Sequence, residues 1–115
     1  RLAVLAISGT ALEAAARAAG LVVFSEVFAD RAYLANGRLM PRARPGAVLH
    51  DPEEVVARML AFLDSGLMPV AEGAAIPLAA QSICVHGDNP QAVAVARLLR
   101  DRTLAAGIAL RPFVA

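Results

Sequence analysis

The sequence predicts an α/β fold in which parallel strands alternate with helices. Apolar runs of strand length recur along the chain, and most are separated by segments with helical spacing and helix caps. Of the 115 residues, 58% are hydrophobic and 18% are charged, which is typical of a globular chain with buried strands. Strands separated by helices favour parallel pairing through right-handed crossovers. About four strands are too few to close a barrel, so the pattern fits either an open sheet or part of a barrel.

The chain opens with a strand, a helix and a second strand. Residues 2–7 form a continuous apolar run. Thr10 and Glu13 then have the spacing of a capping box, which predicts a helix over 11–19. The apolar run over 21–24 predicts a second buried strand.

Residues 29–50 lack a regular pattern. Asn36-Gly37 marks a turn, while Pro41 and Pro45 prevent a long helix or a central strand. We therefore predict a long loop that can contain a small hairpin. Long ordered loops in compact domains are often functional.

The remaining elements continue the alternation. Asp51 and Pro52 combine a helix cap with proline at the first helical position, and they predict a helix over 52–65. The later elements are a hairpin over 70–80, a strand over 82–85, a helix from Asn89-Pro90 to Gly107, and a final strand over 108–110.

Composition argues against several classes of protein. No apolar run approaches the ~18 residues of a membrane-spanning helix, so we expect a soluble protein with no membrane partner. A net charge of +1 without a basic stripe argues against a nucleic-acid partner. The single cysteine, Cys84, excludes an intrachain disulfide and a cysteine-based zinc site, and it suits the cytoplasm. The chain is short, rich in apolar residues and lacks an initiator Met. We therefore expect part of its apolar surface to contact a missing half of the protein or another subunit, and a homo-oligomer is one such arrangement.

Polar residues follow three of the predicted strands. Ligands of α/β folds bind at the carboxyl ends of the parallel strands. Ser8 follows the first apolar run, Glu26 the second and His86 the third. We therefore expect these three side chains to lie near one another on one edge of the sheet.

His86 and Asp88 directly follow the strand over 82–85, and Gly87 between them allows close approach to the backbone. The pair suits general acid–base catalysis or metal ligation. The alternative, which spacing alone favours, is that Asp88 and Asn89 cap the last helix while His86 forms a local hydrogen bond.

Three charged residues and a loop arginine are further candidates. Glu26 suits a base or a group that polarises His86, and Arg31 suits an anion holder. A structural ion pair of Arg31 with Asp30 or Glu26 is the alternative. Arg42 lies on a proline-stiffened loop and suits a clamp for a carboxylate or phosphate, although most such arginines are simply solvated. The sequence contains no P-loop signature, so no motif marks an ATP site.

Three blocks of residues resemble the LamB/YcsF family of lactam-utilisation proteins, which includes the A subunits of 5-oxoprolinases. The blocks occur in the family's order and spacing. One departure is alanine at position 32, where the family more often has glycine, a change that removes no reactive group. The blocks are Glu26-Val-Phe-Ala-Asp-Arg-Ala-Tyr33, Pro41-Arg-Ala-Arg-Pro-Gly-Ala47 and Ile83-Cys-Val-His-Gly-Asp-Asn-Pro90.

The resemblance implies a (β/α) barrel of the seven-stranded glycoside hydrolase/deacetylase type, with residues 1–115 as the C-terminal half of that single domain. It also implies ATP-dependent hydrolysis of 5-oxo-L-proline to L-glutamate, with ATP and Mg²⁺ as cofactors and 5-oxoprolinase subunits B and C as partners. We assign no metal ligand among these residues. The site residues carried over are Glu26, His86 and Asp88 as catalytic, and Asp30, Arg31 and Arg42 as substrate-binding.

Two alternatives differ in their chemistry. A metal-dependent amidase or deacetylase on the same barrel would use His86 and Asp88 as metal ligands. A non-catalytic assembly subunit would keep both complex formation and activity after loss of Glu26 and His86.

Overall fold

The computed structural model describes residues 2–114, and its centre is a three-stranded parallel sheet. The strand order is β1-β2-β5, and a separate antiparallel pair is formed by β3 and β4. The predicted α/β class with parallel strands is thus confirmed. The strands are β1 (Ala3–Ile7), β2 (Val22–Phe28), β3 (Leu67–Met68), β4 (Ile76–Pro77) and β5 (Ser82–Cys84).

Each helix in the described range begins at the side-chain cap that the sequence predicts. The Thr10 side chain accepts a hydrogen bond at the start of α1, Asp51 does so at α2, and Asn89 does so at α3. Gly66 ends α2 in the left-handed conformation, with φ of 72°, which a residue with a Cβ adopts only with strain. The helices are α1 (Ala11–Ala18), α2 (Pro52–Ser65) and α3 (Pro90–Ala105).

The hydrophobic core lies between one face of the sheet and helices α2 and α3. Side chains alternate between the two faces along a strand, so Ser25, Val27 and Ala29 share a face, and all three are fully buried. The main core cluster contains Val27, Ala29, Tyr33, Val55, Val56, Met59, Phe62, Met68, Val95 and Leu99.

The opposite face of the sheet is more open. It carries Phe24, Glu26 and Phe28 of β2, and parallel register places Leu5 of β1 beside Phe24. Leu5 and Val22 on this face are 43% and 47% exposed. This chain therefore covers one face of its sheet well and leaves apolar side chains accessible on the other.

The segment between β2 and α2 folds back on itself through isolated bridges. Arg31 pairs with Val48, and Tyr33 pairs with Leu39 around the Asn36 turn, both antiparallel. The predicted loop with a small hairpin is confirmed. This arrangement returns the chain to the carboxyl end of β2 before α2 begins.

Three boundaries differ from the sequence prediction. Strand β2 continues to Phe28, four residues beyond the predicted end. The predicted hairpin over 70–80 is formed instead by β3 and β4, because Gly66 turns the chain directly from α2 into β3. The predicted final strand over 108–110 is wrong, since these residues have no regular structure. Within residues 2–114, no helix has both the length and the apolar character needed to cross a bilayer.

Candidate functional site

The candidate site lies where β2 and β5 end side by side. Phe28 pairs with Cys84 in the parallel register, so the residues two positions further on, Asp30 and His86, come together. His86 Nδ1 lies 2.8 Å from Asp30 Oδ2. The two strand ends thus produce an imidazole–carboxylate pair at the edge where ligands of parallel sheets bind.

The carboxylate fixes the orientation of the imidazole. With Asp30 as acceptor, Nδ1 donates, and Nε2 has no hydrogen bond among the described residues; in the neutral imidazole Nε2 then carries the lone pair. Phe28 supports the ring from one side, with centroids 6.2 Å apart and ring planes 20° apart. The His86 side chain keeps 32% of its surface exposed, so Nε2 is available to take a proton from a ligand or from water.

Asp30 and Arg31 each contain a buried polar atom with no hydrogen-bond partner in the described structure. These atoms are Oδ1 of Asp30 and Nε of Arg31. The other groups are engaged, because Asp30 Oδ2 contacts His86 and Arg31 Nη2 donates to the Met40 carbonyl at 2.9 Å. Buried polar groups without partners are rare in native proteins, and they occur where a water, an ion or a ligand supplies the missing bond or where the group has a catalytic role.

A cavity of about 110 Å³ adjoins the pair. Two arginines and two carboxylates face it together with both histidines of the chain, so it is polar and carries both signs of charge. Drug-sized ligands occupy roughly 300–1,000 Å³, so this cavity fits only a small metabolite or part of a larger ligand. Its charged and histidine residues are Asp30, Arg31, Arg42, His50, His86 and Asp88.

The structure brings together five of the six predicted site residues, and Glu26 is the exception. Glu26 pairs with Ser82 in the register, and its Oε2 accepts a hydrogen bond from the Ser82 hydroxyl at 2.9 Å. Asp30 lies four positions beyond Glu26, about 13 Å along the chain at the usual rise of a strand. Glu26 thus lies beside Ser82 and not beside His86 as expected, because β2 extends past Glu26. Its catalytic role remains a prediction.

Ser8 lies beside Glu26 and not beside His86. The Ser8 amide donates to the Glu26 carbonyl at 2.8 Å, and the Ser8 side chain is buried. Strand β1 therefore ends level with the middle of β2. The predicted cluster of Ser8, Glu26 and His86 is not formed.

Asp88 and Asn89 have separate roles. Asn89 Oδ1 caps α3 by accepting from the Ala92 amide at 2.8 Å, while Asp88 lines the cavity. The amino-terminal end of α3, whose dipole favours negative charge, also reaches the cavity. The capping alternative is therefore correct for Asn89, and the cap leaves Asp88 free for the site.

The two arginines of the site differ in their surroundings. Arg31 is buried and is held by the Met40 carbonyl. Arg42 is exposed and makes no hydrogen bond or ion pair within residues 2–114. The alternative ion pair of Arg31 with Asp30 or Glu26 is not formed, since Asp30 contacts His86 and Glu26 contacts Ser82. Arg42 is thus the guanidinium best able to reach a ligand.

Arg58, which the sequence pattern did not single out, stabilises the backbone on both sides of Asp30. Its guanidinium donates to the carbonyls of Ala29 at 2.8 Å and Arg31 at 2.6 Å, and its carbon lies 5.5 Å from the centre of the Tyr33 ring. Burial lowers the pKa of Arg58 from its ordinary value, and the nearby Tyr33 and Asp30 act in the opposite direction. Arg58 therefore fixes the backbone that carries Asp30. Its position three residues after Val55, on the apolar face of α2, is the sequence signal.

His50 is a second residue that the sequence pattern did not place in the site. The His50 side chain lines the cavity, and the His50 carbonyl accepts a hydrogen bond from Gln91 Nε2 at 2.7 Å. This bond joins the end of the long loop to α3. Both histidines of the chain consequently border one cavity.

The chain's cysteine lies near the site, and the possible metal ligands among the described residues are not grouped. Cys84 is half-buried; burial raises the pKa of its thiol, and the carboxylates Glu26 and Asp30 raise it further. The thiol therefore stays protonated at neutral pH. In the part of the chain that the structure describes, no three His, Cys, Asp or Glu side chains are grouped to hold a metal ion.

Comparison with known proteins gives consistent results. The sequence model of the LamB/YcsF family matches residues 1–115. The chain is 50% identical over 99 residues to the 5-oxoprolinase A subunit of Azorhizobium caulinodans, covering 86% of this chain and 39% of that protein. It is 46% identical over 112 residues to the 5-oxoprolinase A subunit of Mycolicibacterium paratuberculosis, covering 97% of this chain and 44% of that protein.

A solved structure is similar in fold as well as in sequence. The lactam utilization protein from Thermus thermophilus superposes with a TM-score of 0.88 at 38% identity. The match covers 96% of this chain and 43% of that protein. The chain therefore spans less than half the length of the relatives that it matches.

Proposed function

The chain belongs to the LamB/YcsF family, and we propose that it supplies the lactam-binding site of an ATP-dependent 5-oxoprolinase. In this proposal the enzyme hydrolyses 5-oxo-L-proline to L-glutamate with cleavage of ATP. Subunits B and C complete it, because the relatives' designation as A subunits indicates a larger assembly. The single observation that carries the proposal is the Asp30–His86 pair beside a small cavity that also contains arginine.

We propose further that the chain forms about half of a (β/α) barrel. The relatives are more than twice its length, which leaves room for the other strands. The open face of the sheet supports this arrangement, as do the outer edges of β1 and β5, which pair with no other strand within residues 2–114. A barrel interior would enclose that face. A total of seven strands is what the resemblance to the family implies.

The reaction explains why ATP is required. A five-membered lactam is an unstrained amide and resists attack by water. Transfer of a phosphoryl group to the amide oxygen makes the ring carbon electrophilic. Water then adds to that carbon and gives a proton to a base, the C–N bond breaks, and the nitrogen leaves as the amine of glutamate. A second water releases the phosphate.

Residues of this chain match the requirements of the hydrolytic step. His86 Nε2 serves as the base for water, and Asp30 holds the ring in the orientation that this role needs. Arg42 holds the carboxylate of 5-oxoproline, and Asp88, which follows β5 two residues after His86, contacts the substrate or water. Any contribution of Glu26 to catalysis comes from deeper in the barrel.

The nucleotide requires a different place. A cavity of about 110 Å³ is far below the size that a nucleoside triphosphate needs, so ATP and Mg²⁺ bind outside it, on other parts of the protein or on the partner subunits. The substrate's ring and carboxylate, by contrast, are small enough for this cavity. The single cysteine suits a cytoplasmic location for the assembly.

The test is an assay of the complete protein, with and without subunits B and C, for phosphate release that depends on 5-oxoproline and for formation of glutamate. We expect both products only when all subunits are present. Absence of both products in the full assembly would contradict the proposal. Full activity of a His86→Ala, Asp30→Ala double variant would instead identify a non-catalytic assembly subunit.

A further inference from the structure

We propose that Asp30 Oδ1 and Arg31 Nε recognise the two polar groups of the substrate's ring amide, so that the site selects lactams with a free N–H. This inference rests on the proposed function and assigns the residues that read the substrate. A five-membered lactam holds its amide in the cis form, with N–H and C=O on one edge of the ring. One edge therefore offers a donor beside an acceptor.

The protein offers the complementary pair. Asp30 Oδ1 is an acceptor without a donor, and Arg31 Nε is a donor without an acceptor, on adjacent residues that both line the cavity. Their other polar atoms are engaged, with Asp30 Oδ2 at 2.8 Å from His86 and Arg31 Nη2 at 2.9 Å from the Met40 carbonyl. Each side chain is thus held by one contact while a second polar atom remains unpaired.

Burial makes this pairing selective. Both atoms are buried, so contact with the ring requires a small shift of the cavity's side chains on binding. The resulting hydrogen bonds are then closed to water. A site built to bond an N–H strongly rejects an analogue that lacks it, because the buried acceptor is left unpaired.

Alternative donors for Asp30 Oδ1 are absent from the described residues. The arginine that contacts the neighbouring backbone, Arg58, donates to the carbonyls of Ala29 and Arg31 and not to the carboxylate. The exposed Arg42 forms no bond with Asp30 either. The unpaired oxygen is therefore left for a ligand's donor.

The experiment compares three ligands by calorimetric binding to the complete protein. They are 5-oxoproline, its N-methyl derivative, and the ring lactone with oxygen in place of N–H. We expect the lactone and the N-methyl compound to bind at least ~100-fold more weakly than 5-oxoproline. The lactone keeps the ring size, so it separates loss of the hydrogen bond from a steric clash.

Variants assign the effect to individual atoms. Asp30→Ala should reduce discrimination between 5-oxoproline and the lactone to less than about 3-fold. Arg31→Lys should weaken the binding of all three ligands to a similar extent, because each ligand keeps the ring carbonyl. Asp64→Ala, which removes an exposed carboxylate of α2, is the matched control and should leave discrimination unchanged.

The possible outcomes distinguish failure of the inference about Asp30 from failure of the proposed function. If 5-oxoproline binds and the lactone binds equally well, the inference about Asp30 is overturned while the proposed function stands. Discrimination that survives in Asp30→Ala also overturns it. Failure of 5-oxoproline to bind or react overturns the proposed function itself. Should Asp30→Ala not fold, equal binding of 5-oxoproline and the lactone by the unmodified protein would still overturn the inference.

Discussion

Replacement of Arg58 by methionine tests how the backbone beneath the site is held. The guanidinium makes two short hydrogen bonds, at 2.8 Å to the Ala29 carbonyl and 2.6 Å to that of Arg31, and a longer contact at 3.4 Å to Phe28. Hydrogen bonds to charged groups contribute about 1.5–3 kcal/mol each, and the longer contact adds little. Methionine has no charge to bury, so the variant avoids the desolvation cost of the guanidinium, and this offsets part of the stability lost with the hydrogen bonds. Arg58→Met should therefore lower the free energy of unfolding by about 2–4 kcal/mol.

The assay is urea unfolding of the complete protein at neutral pH, with the slope against urea checked for constancy. Arg58→Lys keeps the charge but cannot donate to both carbonyls in the same geometry, so its loss should be intermediate. Arg97→Met is the matched control, since Arg97 is exposed on α3 and should change stability by less than about 0.5 kcal/mol. If Arg58→Met is no more destabilised than Arg97→Met, the reasoning about Arg58 is refuted.

Three further predictions concern pH and individual site residues. Burial raises the pKa of Tyr33 above its ordinary value of 10.0, so the unfolded chain loses the Tyr33 proton at lower pH than the folded chain does. The free energy of unfolding should therefore fall as pH rises above about 10. Tyr33→Phe should remove the contribution of Tyr33 to this fall, measured by urea titration at several pH values. Arg42→Lys should raise the Michaelis constant for 5-oxoproline about 5–150-fold, the equivalent of ~1–3 kcal/mol, whereas Arg44→Lys on the same exposed loop should not, and equal constants would remove Arg42 from the site. Glu26→Gln keeps an acceptor for the Ser82 hydroxyl. The loss of kcat/KM that it causes should be smaller than the loss caused by His86→Ala by a factor of at least ~10, and an equal loss would show that Glu26 takes part in the reaction.

Local signals predicted the helices well. The caps at Thr10, Asp51 and Asn89 depend on residues within three positions, and each was found where the sequence indicated. The bounds of α2 agree with the prediction at both ends because proline and glycine mark them. Information of this kind is contained in a short window of sequence.

The length of β2 could not be predicted in the same way. Ser25 and Glu26 interrupt the apolar pattern, yet both belong to the strand. Ser25 is fully buried because its hydroxyl pairs with Glu13 and Arg17 of α1, and Glu26 is bonded by Ser82 of β5. Partners so distant in sequence satisfy the polar groups that appeared to end the strand.

The same length determines the composition of the site. Because β2 ends at Phe28, Asp30 and not Glu26 meets His86. The sequence identified which strands border the site and the residue types there, but neither the end of β2 nor the register that joins β2 to β5. Similarly, the apolar residues 108–110 suggested a strand, but regular strand structure requires a neighbouring strand that these residues do not pair with in the described chain.

The most direct test of the central claim is the rate of glutamate formation by the complete 5-oxoprolinase assembly carrying His86→Ala. If His86 Nε2 takes a proton from the attacking water, kcat should fall by about 10²–10⁴-fold. The variant's unfolding midpoint in urea should stay close to that of the unmodified protein, because the His86 side chain is partly exposed. Glutamate formation within about 3-fold of the unmodified rate would contradict the assignment of this cavity as the catalytic site.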